Sequence, residues 1–144
     1  MPNFPKVKLI TVGKVKKAWI RQGIETYLKR VPELTLTVIK DAGLEKEATK
    51  GLELKKGSDR LIVLAEEGQT QTSVQLAQWL SQADSGTLLF FLGGAEGVSD
   101  RLKQNADHLL SLSPMTFPHE LAQLMFVEQL YRAKTILQGQ EYHK

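Results

Sequence analysis

The chain has 144 residues, of which 42% are hydrophobic and 24% charged, with no cysteine, so one globular domain over residues 1–144 is expected. The lack of cysteine excludes a disulfide framework and a thiolate metal site, and His108, His119 and His143 do not have the spacing of metal ligands. There is no apolar run of membrane-spanning length and no signal-peptide pattern, so we expect a cytoplasmic protein without a metal or a membrane anchor.

The formal net charge of +3 is distributed unevenly along the chain. Residues 1–30 carry eight basic side chains against one glutamate, a net +7, which leaves −4 on the other 114 residues. The N-terminal part is therefore the electrostatic candidate for a polyanion-binding surface. The alternative is a lysine-rich helix that is simply solvated.

The first half of the chain alternates strand and helix patterns. Short β-branched or apolar runs predict strands, and apolar residues spaced three to four apart predict helices. Pro32 and Gly57 end the two helices, and Glu66-Glu67-Gly68 is predicted to be a loop. The predicted elements are a strand over 6–13, a helix over 16–30, a strand over 34–39, a helix over 44–55 and a strand over 60–65.

The second half continues the alternation. Thr72 and Gln75 have capping-box spacing for a third helix, and Ser99 is a candidate N-cap for a short fourth helix. Uncharged runs predict strands at 88–92 and 109–112, and a long helix is expected over 119–138. Five strands alternating with five helices predict an α/β fold, a three-layer and mostly parallel sheet with helices on both faces.

Three loops follow the carboxyl ends of the predicted strands, where α/β sheets bind ligands. They are residues 64–68, the glycine-rich 93–97 and 112–117, which is stiffened by Pro114 and Pro118. Glycines there let backbone N–H groups approach a ligand closely, although a tight turn without a ligand remains the alternative. The spacing Gly-Gly-x-x-Gly departs from the dinucleotide fingerprint, which makes a nicotinamide or flavin site a weak hypothesis.

The last predicted helix is apolar in nearly every direction, so it must be covered on more than one side. A second copy of the chain is the expected cover. Gln123 is placed on a solvent edge of this helix, whereas Glu128 and Arg132 lie among apolar neighbours. Because these two are four residues apart, they form either a simple helix ion pair or part of a site.

Four segments resemble the RlmH family of SPOUT-class methyltransferases, and the similarity covers essentially the whole chain. The segments are Phe91-Leu-Gly-Gly-Ala-Glu-Gly97, Met115-Thr-Phe-Pro-His119, Glu128-Gln-Leu-Tyr-Arg-Ala133 and Tyr142-His-Lys144. The resemblance implies a homodimer with a C-terminal trefoil knot. It further implies S-adenosyl-L-methionine as the methyl donor and N3 of a pseudouridine in 23S rRNA, on the ribosome, as the acceptor.

The resemblance also assigns residues. It implies cofactor contacts by Leu64, Gly93, Leu112, Ser113, Pro114, Met115, Thr116 and Phe117. Gln123 stands where similar sequences often carry an arginine, and the region before Arg60 is shorter than usual.

A sulfonium methyl is already activated, so the protein mainly has to align the reactants and help remove an imide proton. The candidates for this acceptor side are Glu128, Arg132, Tyr142 and His143, with His119 as a further candidate. Their individual roles stay open at this point. The alternatives from other classes are a non-catalytic ribosome- or RNA-binding factor and a nucleotide-binding α/β module.

Overall fold

The computed structural model describes residues 4–83 and 86–144. A single five-stranded sheet has the order β2-β1-β4-β3-β5, and every neighbouring pair is parallel. The strands are β1 (Val7–Val12), β2 (Leu34–Ile39), β3 (Arg60–Thr70), β4 (Leu88–Leu92) and β5 (His108–Ser111). The helices are α1 (Ala18–Arg30), α2 (Leu44–Leu54), α3 (Ser73–Ser81), α4 (Asp100–Gln104) and α5 (His119–Leu137).

The sheet separates two apolar cores, which confirms the three-layer α/β prediction. One core joins α1, α3 and α5 to the sheet, and the other joins α2 and α4 to the opposite face. Strand β4 lies at the centre, and all five of its residues are buried. Because it is covered on both faces and hydrogen-bonded to β1 and β3, it can be built only from uncharged residues.

Helix α5 is largely covered within its own chain. It packs between α1 and α3, and the ring of Phe126 lies 4.9 Å from that of Phe90 on β4. At Gly23 an added Cβ would come within 2.9 Å of a Leu124 methyl, so the glycine permits close packing of α1 on α5. Helices α1 and α3 therefore cover part of the apolar surface of α5 for which a second copy of the chain was the expected cover.

The N-terminus of α1 is capped by a side chain from α5. The backbone N–H groups of Lys16 and Lys17 each donate to Glu120 Oε1 at 3.2 Å. Both bonds lower the pKa of Glu120, and the bond from Lys17 has the larger effect. The carboxylate thus accepts hydrogen bonds from the N-cap residue Lys17 and from Lys16 before it, and it fixes the start of α1 against the start of α5.

Two details of the sequence-based prediction are wrong. Residues 66–68 are not a loop, because β3 runs on to Thr70 with a register shift between Leu64 and Gln69. A Cβ on Gly68 would lie 2.7 Å from the Leu109 carbonyl carbon, so this glycine allows close strand approach and does not mark a turn. Gln123 is buried, with 5% of its surface exposed, and does not lie on a solvent edge.

No helix in the described part of the chain is long and apolar enough to cross a membrane.

The capping box at Thr72 is confirmed, since its side chain accepts from the Gln75 N–H while the Gln75 side chain accepts from the Thr72 N–H. The Ser99 N-cap is also confirmed. The trefoil knot stays a prediction from the family resemblance.

Candidate active site

A cavity of about 320 Å³ lies beyond the carboxyl ends of β4 and β5 and beside residues 64–67 of β3, where the three predicted ligand segments meet. Six of the eight expected cofactor residues line it: Leu64, Gly93, Leu112, Ser113, Met115 and Phe117. Pro114 and Thr116 belong to the same loop but do not line the cavity. The Thr116 hydroxyl instead donates to Glu66 at 3.0 Å and joins the loop to the end of β3.

The glycine turn forms one wall of this cavity. The Gly97 N–H donates to the Gly94 carbonyl at 3.0 Å, and Gly97 has a φ of +83°, which favours glycine. A Cβ on Gly93 would collide with the Gly97 carbonyl oxygen and would lie 2.8 Å from a Val98 methyl. Gly93 is therefore required for the turn to close, and backbone groups are left facing the cavity.

Charged residues also line the cavity, of which the sequence prediction missed Lys103 and assigned no role to Glu66 and Glu67. Glu66, Glu67, Lys103 and His119 all line it, and Lys103 Nζ lies 3.0 Å from Glu67 Oε2. A hydrogen bond from its own backbone and one from Lys103 lower the pKa of Glu67. The signal was present, because both glutamates follow the buried part of β3. The prediction of 64–68 as a ligand-binding loop did not single out these two carboxylates, which can accept hydrogen bonds from hydroxyl or amino groups.

The four predicted acceptor-side residues lie together at the other end of α5. Arg132 donates to Glu128 through Nη2 at 2.7 Å and through Nε at 3.3 Å. The Tyr142 hydroxyl donates to Glu128 Oε2 at 2.8 Å, and Arg132 Nη1 lies 3.0 Å from His143 Nδ1. The Arg132 guanidinium also stacks over the Tyr142 ring at 5.1 Å. The helix ion pair is thus present, as part of a larger tail cluster of Glu128, Arg132, Tyr142 and His143.

Two tyrosines outside the prediction hold the tail cluster in place. The Tyr142 ring packs edge-on against Tyr131, with ring centroids 4.7 Å apart. Its hydroxyl lies 3.3 Å from that of Tyr27 on α1. Because Tyr142 has a single hydroxyl proton and gives it to Glu128, Tyr27 is the donor of this second bond. Such contacts between distant parts of the chain leave no periodic signal in a sequence.

Hydrogen-bond chemistry separates the possible roles of these side chains. Glu128 receives two bonds from Arg132, one from Tyr142 and one from Gln129, which occupy the about four lone-pair sites of a carboxylate. A guanidinium only donates, so His143 Nδ1 accepts and its neutral ring carries the proton on Nε2. In this arrangement both Arg132 and His143 are hydrogen-bond donors.

The pKa shifts of Tyr142 and Arg132 favour this arrangement. Burial, with hydrogen bonds to Tyr27 and Glu128, raises the pKa of the Tyr142 phenol well above its usual range. The bond to Glu128 raises the pKa of Arg132. Tyr142 therefore stays a neutral donor and Arg132 stays a cation.

A larger cleft of about 680 Å³ separates the cavity from the tail cluster. Tyr27, Met125, Glu128 and Gln129 line it among others, and Leu112 lines both spaces. His119 at the cavity and Arg132 are 13 positions apart on α5, about 20 Å at ~1.5 Å per residue. The two predicted halves of the site are therefore well separated within one chain.

The sequence model described as "Predicted SPOUT methyltransferase" matches residues 6–143, nearly the whole chain. The chain belongs to this family. It is accordingly a methyltransferase.

Similar proteins agree with this assignment. Three cyanobacterial relatives carry the name ribosomal RNA large subunit methyltransferase H. The protein of Synechococcus sp. CC9902 is 46% identical over 99% of both chains. The protein of Prochlorococcus marinus MIT 9303 is 49% identical over 95% of this chain and 91% of its own. The protein of Prochlorococcus marinus NATL2A is 48% identical over 100% of this chain and 99% of its own.

A solved structure supports the fold alone. The crystal structure of a probable methyltransferase from Bordetella pertussis Tohama I covers 90% of this chain and 95% of its own, with a TM-score of 0.51 at 11% identity.

Among the described residues, no group of histidine, aspartate and glutamate side chains could hold a metal ion.

Proposed function

We propose that this SPOUT methyltransferase transfers a methyl group from S-adenosyl-L-methionine to N3 of a pseudouridine in 23S rRNA, on assembled ribosomes in the cytoplasm. The observation that carries the proposal is the cavity at the strand ends, which six residues expected from the family resemblance line together. The names of the full-length relatives support rRNA as the substrate.

The residues of the cavity fit such a cofactor. Leu64, Leu112 and Phe117 offer apolar surface for a flat base, and the turn at Gly93 offers backbone groups without side chains in the way. Glu66 and Glu67 supply carboxylates that can accept hydrogen bonds from ribose hydroxyl or amino groups. When bound, the cofactor supplies an activated methyl group. The chain then has to exclude water, orient the donor and prepare the acceptor base.

The tail cluster suits the acceptor side. When the imide proton of N3 passes to solvent water, negative charge remains on the ring and its neighbouring carbonyl oxygens. Arg132 and the Nε2–H of His143 are donors that can stabilise this charge. Glu128 orients Arg132 and accepts a hydrogen bond from the Tyr142 hydroxyl. We therefore assign Glu128 to positioning and not to removing the imide proton.

The cavity and the tail cluster can serve one reaction in a homodimer. Reacting atoms must approach to about 3–3.5 Å, whereas the two sets of residues lie about 9–20 Å apart along α5 of one chain, from Ala122 to Glu128 and from His119 to Arg132. The cleft opens at Leu112, on the rim of the cavity. A partner subunit docked in the cleft would bring its own tail cluster to that rim. The active site is then composite, with the cofactor held by one subunit and the acceptor-side donors supplied by the other.

The dimer interface can be tested at Trp19, whose side chain is 59% exposed. Trp19 is four positions before Gly23 and eight before Tyr27, so it continues the stripe of α1 that lines the cleft. We expect Trp19→Glu to shift the protein from dimer to monomer in sedimentation velocity, because the dimer would bury an unpaired carboxylate. Val38→Glu, on edge strand β2 and 47% exposed, is the matched control and should stay dimeric. A wild-type protein that sediments as a 16.1 kDa species at micromolar concentration would refute the dimer.

The proposed function as a whole is tested by binding and transfer together. Calorimetry with S-adenosyl-L-methionine, ATP and NAD in parallel should show binding of the first only. Ribosomes from cells that lack the protein should then take up methyl groups at N3 of one pseudouridine, read by mass spectrometry of the digested 23S rRNA. Tight ribosome binding without cofactor binding would point to a non-catalytic ribosome-binding factor. Binding of ATP or NAD alone would point to a nucleotide-binding module.

A further inference from the structure

Four basic side chains surround the N-terminus of α1 and form what we call the α1 cation patch: Lys14, Lys16, Lys17 and Arg21. All four are exposed. Within residues 4–83 and 86–144 the ion pairs engage Lys8, Arg101, Lys103, Arg132 and Lys134, and none of the four patch residues. The first turn of α1 also contains no acidic residue. The patch therefore presents its positive charge to solvent, with partial compensation by the Glu120 carboxylate that the backbone of Lys16 and Lys17 holds.

The fold fixes this patch beside the cofactor cavity. Glu120 accepts from the backbone N–H groups of Lys16 and Lys17, and its neighbour His119 lines the cavity. The patch is thus joined to the rim of the cavity through two consecutive residues of α5. Glu120 is engaged by backbone donors, so the ammonium groups of Lys16 and Lys17 remain available to a partner.

We propose that the α1 cation patch binds the phosphate backbone of the ribosomal RNA next to the target nucleotide and guides that nucleotide toward the cavity. This inference rests on the proposed function, which it extends to the surface that recognises the substrate. Lysine and arginine side chains bind phosphates as charge partners and hydrogen-bond donors, and they position an RNA without reading its sequence. The asymmetry of the chain, +7 in residues 1–30 against −4 elsewhere, directs a polyanion to this side.

A second copy of the chain is the less suitable partner. An isologous interface that placed the patch on the two-fold axis would bring four cations against four cations. Such an arrangement is repulsive, and one Glu120 carboxylate for four cations does not balance it. RNA, in contrast, gains stability from every phosphate that is neutralised.

The test removes the patch charges and follows ribosome binding as a function of salt. One variant combines Lys14→Gln, Lys16→Gln, Lys17→Gln and Arg21→Gln. The matched control changes four exposed lysines elsewhere, namely Lys40→Gln, Lys46→Gln, Lys50→Gln and Lys56→Gln. Both variants lose the same net charge, so a difference between them reports the place of the charge and not its amount. Circular dichroism, calorimetry with S-adenosyl-L-methionine and sedimentation verify the fold, the cofactor site and the dimer.

We expect the patch variant to bind ribosomes at least about tenfold more weakly, and the slope of log K against log salt to fall by roughly 0.7 for each phosphate that the protein no longer neutralises. Cofactor affinity and the dimer should be unchanged, and the control should bind like wild type. Equal weakening in both variants would overturn the patch, since net charge alone would then explain binding. Loss of the dimer in the patch variant would also overturn it and assign these residues to the subunit interface.

These outcomes are separable from failure of the proposed function. If wild type neither binds S-adenosyl-L-methionine nor methylates ribosomes, the function itself fails. If wild type does both and the patch variant methylates with wild-type salt dependence, only the patch is wrong.

Discussion

Replacing Gly93 with alanine is expected to weaken cofactor binding strongly while the protein stays folded. The added Cβ collides with the Gly97 carbonyl oxygen and comes within 2.8 Å of a Val98 methyl. Because the backbone oxygen cannot rotate away like a side chain, the whole 93–97 turn must move, and with it one wall of the cavity. We expect a loss of affinity for S-adenosyl-L-methionine on the order of a hundredfold, or about 2.7 kcal/mol. Isothermal titration calorimetry measures it directly.

The neighbouring glycine supplies the control. A Cβ on Gly94 meets Val12 Cγ1 at 3.3 Å, a tight contact that a side chain can relieve by a small shift. Gly94→Ala should therefore keep most of the affinity in the same titration. If Gly93→Ala binds S-adenosyl-L-methionine like wild type, the glycine turn does not form the cofactor site, and the assignment of the cavity fails. Thermal unfolding followed by circular dichroism separates a binding defect from a folding defect.

The parts of the fold that follow from local physics were predictable. The uncharged run 88–92 forms the doubly covered central strand, because a charge there would have no solvent on either face. The pairing of Thr72 with Gln75 starts α3, because the two side chains satisfy each other's backbone donors. The cavity was also predictable in place, since the 93–97 and 112–117 loops follow parallel strands and meet beside β3 at one edge of the sheet.

The errors come from contacts between distant residues. Residues 66–68 have the composition of a turn, yet Gly68 permits β3 to approach β5 and the strand continues. Gln123 follows the polar positions of an isolated helical wheel, yet it is buried once α5 packs between α1 and α3. The bond between Tyr27 and Tyr142 joins residues 115 positions apart, and no local pattern encodes such a pair.

If the tail cluster serves the acceptor side, as we propose, the end of the chain is required for the reaction. Deleting residues 141–144 removes Tyr142 and His143, and with them one bond to Glu128 and the partner of Arg132 Nη1. Helix α5 ends at Leu137, before the deletion, and the Gln140 N–H still donates to the Thr135 carbonyl. We therefore expect an intact fold and nearly unchanged cofactor affinity. Methyl transfer should fall by on the order of a hundredfold or more, the usual worth of a positioned proton donor or acceptor.

Rate measurements on the deletion variant decide the role of the tail. Single-turnover methylation of ribosomes at saturating S-adenosyl-L-methionine gives the rate, and calorimetry gives the affinity. A variant that loses cofactor binding and folding together would show that the tail is structural. One that keeps full activity would remove Tyr142 and His143 from the site.

Mixing two inactive variants tests whether the site is composite. The Gly93→Ala subunit has an intact tail and a broken cavity, and the truncated subunit has the reverse. In a mixed dimer, the truncated subunit holds the cofactor and its Gly93→Ala partner supplies the tail cluster, so one of the two sites is complete. Random exchange of subunits makes about half of the dimers mixed, and activity should return to about a quarter of wild type, since a two-fold interface pairs the subunits without preference. If cavity and tail cluster acted within one chain, the mixture would stay as inactive as its components, because every chain in it carries one broken half.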